Sequence, residues 1–244
     1  MKLQIVSDLH LEFQEDNEAL VAFLKGLKTD ADVLVAAGDI ATHKAMEVAI
    51  KTMCEIWPEV IYICGNHEFY DSNFGKIFNI LERMENKYTN FHWLNDKAVE
   101  IKGQRFLGNT MWFQENELTT NPYLQKQLND FYWIENFRDH VFKYHNRTVV
   151  FLRENIRPGD IVVTHHAPSE KSEHPKHKSD NFNCFYQTDL EDMIKEKKPA
   201  LWLHGHTHSS HNYKIDETQI ICNPHGYIGH EVNPTFNPQL VIEV

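Results

Sequence analysis

The chain has 244 residues, 41% of them hydrophobic and 24% charged, with a formal net charge of -11 at pH 7. That length lies near the upper size of one α/β domain and can bury a full core, so a single domain over residues 1–244 is expected, and no apolar run is long enough to span a bilayer. The acidic balance disfavours a long nucleic-acid partner, whose affinity depends on neutralising phosphates with Lys and Arg, and favours small substrates.

Met1-Lys2 leads straight into the strand-like KLQIVS, without the basic start, apolar core and small-residue cleavage site of a secretory signal, which points to a cytoplasmic location. This strand runs into Asp8 and His10 of SDLH. A helical pattern over Asn17 to Leu27 precedes a second strand, DVLVAAG, closed by Asp39. Another helical pattern over Thr42 to Ile56 precedes VIYICG, closed by Asn66, His67 and Glu68, and a third covers Phe74 to Lys87. This is βαβαβ order.

AVEIKG and RFLGNT follow as strands. From Asn109 to Pro158 the chain becomes helix-favouring and aromatic, with Trp112, Phe113, Phe131, Tyr132, Trp133 and Phe137 among its rings, and reads as a cap-like insert on the α/β body. Those rings either pack the cap onto the body or wall a pocket that stacks a base; their spacing favours packing. DIVVTHH then brings His165 and His166, and strand alternation turns His166 away from any site that His165 serves, into a hydrogen-bonding structural role. The polar SEKSEHPKHKSD, Ser169 to Asp180, reads as a mobile loop in which His174 and His177 are solvated. ALWLHGH carries His204 and His206, with His208 just beyond, and YKIDETQIICN and QLVIEV complete the strands. Two sheets, or one mixed sheet, with helices outside are expected. The four cysteines lie far apart with no CxxC pair, which suits small core residues rather than disulfides or a thiolate zinc site.

Asp8, His10, Asp39, Asn66, His67, His165, His206 and His208 all lie just beyond apolar strands. The carboxyl ends of strands in an open α/β sheet share one rim, so these side chains can converge on one crevice. Imidazole nitrogens with carboxylate or amide oxygens and no thiolate suit Mn, Fe, Zn, Co or Ni. The set without His67 is too large for one tetrahedral zinc. With Asp39 as a bridge it divides between two ions, and two divalent cations (+4) against Asp8 and Asp39 (-2) leave +2, a charge that attracts phosphate.

Asp8-Leu9-His10, Gly38-Asp39, Gly65-Asn66-His67-Glu68, His165 and Gly205-His206-Thr207-His208 match, in order, the blocks D-x-H, G-D, G-N-H-[D/E], H and G-H-x-H. The chain thereby resembles the calcineurin-like metallophosphoesterases, in particular small single-domain bacterial or phage-type members with SDLHLEF, THHAPS and CNPxGY segments. The resemblance implies a four-layer α/β sandwich, two mixed β-sheets flanked by helices. It implies Asp8, His10, Asp39 and His208 around a first metal, and Asp39, Asn66, His165 and His206 around a second. An extended turn would let His206 and His208 face the same side while Thr207 points away. His204 has no role in that pattern and reads as a polar residue at a strand end.

The implied chemistry is hydrolysis of a small phosphodiester or phosphomonoester, a nucleotide among the options, by a metal-bridging hydroxide. His67 would be the proton donor or electrostatic stabiliser for the leaving oxygen. Glu68 stands where many relatives have Asp, which leaves a supporting carboxylate contact to His67 open. Asn223, His225 and Tyr227 are placed near the rim, in a loop that a Pro-Gly turn explains equally well. A nuclease or protein phosphatase of the same superfamily is the enzymatic alternative, and a binding module that has lost its ligands the non-enzymatic one; this chain keeps every expected ligand.

Overall fold

Strands β1 (Lys2–Val6), β2 (Val33–Ala37) and β3 (Glu59–Ile63) are apolar and almost wholly buried, and helices α1 (Asn17–Gly26), α2 (His43–Ile56) and α3 (Phe74–Lys87) follow them in alternation. Asp16 and Asn73 start α1 and α3 by accepting the N–H groups of Ala19 and Lys76. A short β4 (Phe91–Trp93) comes next, then β5 (Lys97–Ile101) and β6 (Gln104–Asn109). The aromatic insert holds α4 (Pro122–Gln125), α5 (Asp130–Trp133) and α6 (Phe137–Asn155). The C-terminal part contains β7 (Ile161–Thr164), α7 (Glu191–Lys197), β8 (Leu201–His204), β9 (His211–Ile215), β10 (Thr218–Cys222), β11 (Gly226–Tyr227), β12 (Glu231–Val232) and β13 (Val241–Glu243).

The computed structural model describes all 244 residues and arranges these strands in two large mixed sheets, ordered β13-β1-β2-β3-β4 and β5-β6-β7-β8-β10-β9. Their interior pairs are parallel, and antiparallel strands lie at three of the four edges, β4 being the parallel exception. Strands buried on both faces pair this way beneath crossover helices. Alternation along each strand then sorts the side chains into layers. Leu3, Ile5 and Val35 of one sheet meet Phe106, Val163 and Leu203 of the other in a core between the sheets. Leu34 and Tyr62 face the layer of α1, α2 and α3, whereas Val162 and Trp202 face α6 and α7. The result is helix, sheet, sheet, helix. No helix is long and apolar enough to cross a membrane.

The insert's aromatics divide between two fates. Trp112, Phe113 and Phe137 are buried in the core beside α2 and α3, while Tyr123, Tyr132 and Trp133 are exposed. The polar Ser169–Asp180 stretch is not a simple loop: it holds the 3-10 turns Glu170–Ser172 and Pro175–His177. It is tied down at buried Ser172, whose hydroxyl lies 2.8 Å from His204 Nε2 and 2.7 Å from the Tyr213 hydroxyl.

Candidate metal centre

Each candidate ligand occupies the loop directly after a strand: Asp8 and His10 after β1, Asp39 after β2, Asn66 after β3, His165 after β7, and His206 and His208 after β8. Asp8, His10, Asp39, His206 and His208 have left-handed backbones, with φ of 52°, 45°, 54°, 69° and 48°. That conformation costs a residue with a side chain about 1–2 kcal/mol and persists where the surroundings over-determine it. Here Asp8 N–H donates to Gly38 O at 2.9 Å, His10 N–H to Asp39 O at 3.0 Å, and the Asp8 carboxylate accepts His206 N–H at 3.0 Å. Gly205 permits this approach, because a Cβ there would stand 2.6 Å from Asp8 Oδ2. The expected extended turn is therefore replaced: β8 ends at His204, and a tight turn delivers His206 and His208.

The side chains converge. Asp8 Oδ1 lies 3.4 Å from His208 Nε2, which lies 3.1 Å from His10 Nε2. Asp39 Oδ2 stands between the groups, 3.8 Å from His10 Nε2 and 3.4 Å from His165 Nε2. Asn66 Oδ1 is 3.2 Å from His165 Nε2. Two clusters result, Asp8–His10–His208 and Asp39–His165–His206, each with its donor atoms within 4.8 Å of one another.

Several observations show that this set fits divalent cations. Ligand atoms about 2.0–2.2 Å from one ion stand roughly 3–3.6 Å from each other, close to the spacings found here. His206 Nε2 is buried without a hydrogen-bond partner. His165 Nδ1 donates to Ala37 O at 2.9 Å and His10 Nδ1 to Glu12 Oε1 at 3.3 Å, leaving both Nε2 lone pairs facing the centre. Burial opposes charge on Asp39, but His165 and His67 outweigh it and hold the carboxyl well below the usual range. Burial, with His166 and His165 nearby, pushes His206 well below the ordinary imidazole value and keeps it neutral. An ionised Asp39 and a neutral His206 are the protonation states that metal binding requires, whereas at His165 burial is outweighed by the Asp39 and Asp8 carboxylates, which raise it to about 10, so a cation bound there displaces its proton.

His67 sits beside the clusters. Its Nδ1 lies 3.1 Å from Glu12 Oε1, its Nε2 3.2 Å from the Tyr227 hydroxyl, and its ring stacks on Tyr70 at 4.1 Å. Burial alone would lower its basicity, yet the Asp39 and Glu12 carboxylates more than reverse that and raise it to about 9.

Sequence reasoning missed Glu12, Asp130 and the Tyr227 contact. Glu12 supplies the carboxylate partner of His67, the contact that the identity of Glu68 had left open, and it holds His10 as well. Asp130, from α5 of the insert, accepts Asn66 Nδ2 at 2.9 Å and the Tyr70 hydroxyl at 2.8 Å, which turns the Asn66 amide oxygen toward the centre. The only local signals were an acid two positions after His10 and an acid at the head of an aromatic run. His166 does bond Thr110 O, at 3.2 Å, but β7 ends at Thr164 and its ring lies 4.3 Å from that of His206, so it does not face away from the site.

Glu68 has a different task. Its Oε2 accepts the N–H groups of Asp39 (3.1 Å) and Gly65 (2.7 Å), and its Oε1 accepts the Ile40 N–H (2.9 Å) and the Tyr62 O–H (2.7 Å). Glutamine would aim an NH₂ group at two of these donors. Glu68→Gln should therefore destabilise the fold by about 2–4 kcal/mol and loosen metal binding, because buried donors lose their acceptor. An unchanged melting temperature would refute this bracing role.

The centre floors a cleft of about 510 Å³, where Asp39, Asn66, His67, His206 and His208 are exposed to a ligand. Segments 124–130 of the insert and 172–187, with Tyr70, Thr207, Tyr227 and Glu231, complete its lining, and His174 and His177 belong to it rather than to a detached loop.

Residues 1–210 match the family model for calcineurin-like phosphoesterases. An uncharacterized protein of Acanthamoeba polyphaga mimivirus is 27% identical over 274 aligned positions, covering 99% of this chain and 96% of that protein. Phosphopantetheinyl hydrolase from Mycobacterium tuberculosis has a similar structure, with a TM-score of 0.74 at 14% identity over 93% of this chain and 89% of that one. The TT1561 protein of Thermus thermophilus gives a TM-score of 0.58 at 13% identity, over 91% and 88% respectively. At these identities the structural likeness speaks for the fold.

Proposed function

The chain belongs to the calcineurin-like phosphoesterase family, and from that premise we propose that it is a dinuclear metal-dependent hydrolase of small phosphomonoesters or phosphodiesters. The observation that carries this reading is the pair of buried donor clusters with the Asp39 carboxylate between them and His67 alongside. Asp8, His10, Asp39 and His208 would hold one ion, and Asp39, Asn66, His165 and His206 the other. The N and O donor set suits Mn, Fe, Zn, Co or Ni. When bound, such ions act as Lewis acids on phosphoryl oxygens and make hydroxide available at neutral pH.

The chain's own residues supply positioning and proton handling. Glu12 fixes the His67 tautomer with the proton on Nδ1, and a second proton on Nε2 is the one available to a departing oxygen. The Tyr227 hydroxyl marks the side of His67 from which that oxygen is approached. Asp130 keeps the Asn66 amide correctly turned.

Chelation followed by metal analysis tests the proposal. Turnover of p-nitrophenyl phosphate and bis(p-nitrophenyl) phosphate should vanish on metal removal and return with two ions per chain. Activity retained by metal-free protein would refute it. Bound metal without turnover of any phosphoester would mark a binding module, and faster turnover of oligonucleotides or phosphopeptides would mark a nuclease or protein phosphatase.

A further inference from the structure

The cleft is lined without a single lysine or arginine, although the substrate proposed for it is a phosphoester. Carboxylates line it instead: Asp130, Glu173, Asp180 and Glu231. Two buried acceptors also lack any donor. Asp130 Oδ1 takes the Asn66 amide and the Tyr70 hydroxyl, which leaves Oδ2 unpartnered on a side chain that is 1% exposed. Gln187 donates its NH₂ to Glu173 at 2.8 Å, which fixes the amide orientation and leaves Oε1 buried and unpartnered. Buried acceptors of this kind are satisfied by a ligand that brings donors.

Resting on the phosphoesterase reading, we propose that the cleft selects esters with one phosphorus centre whose alcohol part is neutral or cationic and rich in N–H or O–H donors, with Asp130 and Gln187 as its acceptors. One phosphoryl group meets the cations. A second phosphate or a carboxylate on the same substrate would face Asp130, Glu173, Asp180 and Glu231 with no guanidinium or ammonium to offset it, and like charges set against each other discriminate strongly. The acceptor on Asp130 lies next to Asn66, so the donor it takes belongs to the part of the alcohol nearest the ester.

Metal-loaded protein should be assayed with three monoesters of similar size: glycerol 3-phosphate, O-phosphoethanolamine and 3-phosphoglycerate. Their glycerophosphodiester counterparts and a nucleoside diphosphate complete the set. The neutral and cationic esters should exceed 3-phosphoglycerate in kcat/KM by at least about ten-fold, and a nucleoside monophosphate should exceed its diphosphate in the same sense. Asp130→Asn, which puts an NH₂ group where Oδ2 stood, should move the glycerol phosphate to phosphoglycerate ratio toward unity. Glu231→Lys, at an exposed position, should raise kcat/KM for phosphoglycerate. Chelator-sensitive turnover with no charge preference, or with ratios that neither variant moves, overturns the selectivity and leaves the proposed function standing. Absence of chelator-sensitive turnover for every ester, the p-nitrophenyl esters included, overturns both.

Discussion

Asp39→Asn is expected to strip metal from both clusters and to lower kcat by more than the ~10²–10³-fold that removal of a single transition-state hydrogen bond produces. The hydrogen bonds around Asp39 say why. Oδ1 accepts the backbone N–H of His67 at 2.8 Å, so an asparagine must keep its oxygen there, because an NH₂ group would meet another donor. Its nitrogen is then forced into the Oδ2 position, 3.4 Å from His165 Nε2 and 3.8 Å from His10 Nε2. That is the position assigned to the shared ligand. The substitution thus turns an anionic acceptor into a donor that points at two cations, without removing any side-chain volume. Metal stoichiometry and activity should fall together. Two tightly bound ions per chain in the variant would show that Asp39 is no bridge and would redraw both ligand sets.

His67→Ala should separate the proton donor from the ligands. The bond from the His67 backbone to Asp39 survives the substitution, and no candidate ligand relies on the imidazole except through Glu12, which retains His10. Metal content should stay near two. Activity should fall by roughly 10²–10⁴-fold for substrates with a poor alkoxide leaving group and much less for p-nitrophenyl phosphate, whose leaving group departs readily as an anion. Glu12→Gln should reproduce a milder form of the same substrate dependence, since a glutamine oxygen still accepts from Nδ1 but no longer favours the imidazolium. A uniform loss across leaving groups would instead give His67 a role in binding or charge stabilisation. Loss of metal would make it a ligand.

By itself the sequence determined the fold class, the order of the longer strands and of the first three helices, and which loops carry the candidate ligands. Those signals are local: apolar runs of strand length, helical periodicity between them, and Asp, Asn and His at the points where the runs stop. The α3 helix illustrates this, with the observed Phe74–Lys87 matching the pattern read from the chain. Strand β4 was not legible because three residues are too few to show a period. The chemistry around the ligands was not legible either, since it depends on pairs remote in the chain. Asp130 reaches Asn66 across 64 positions, Tyr227 reaches His67 across 160, and Glu12 reaches His67 across 55. Periodicity says which face a side chain takes but not which distant loop will lie opposite. Packing of two sheets and their helix layers decides that, as does the left-handed turn that carries His206 and His208 inward. Glu68 shows the limit most clearly: the motif places a carboxylate beside His67, and only the folded backbone, with four donors converging on it, makes that carboxylate a brace and hands the imidazole to Glu12.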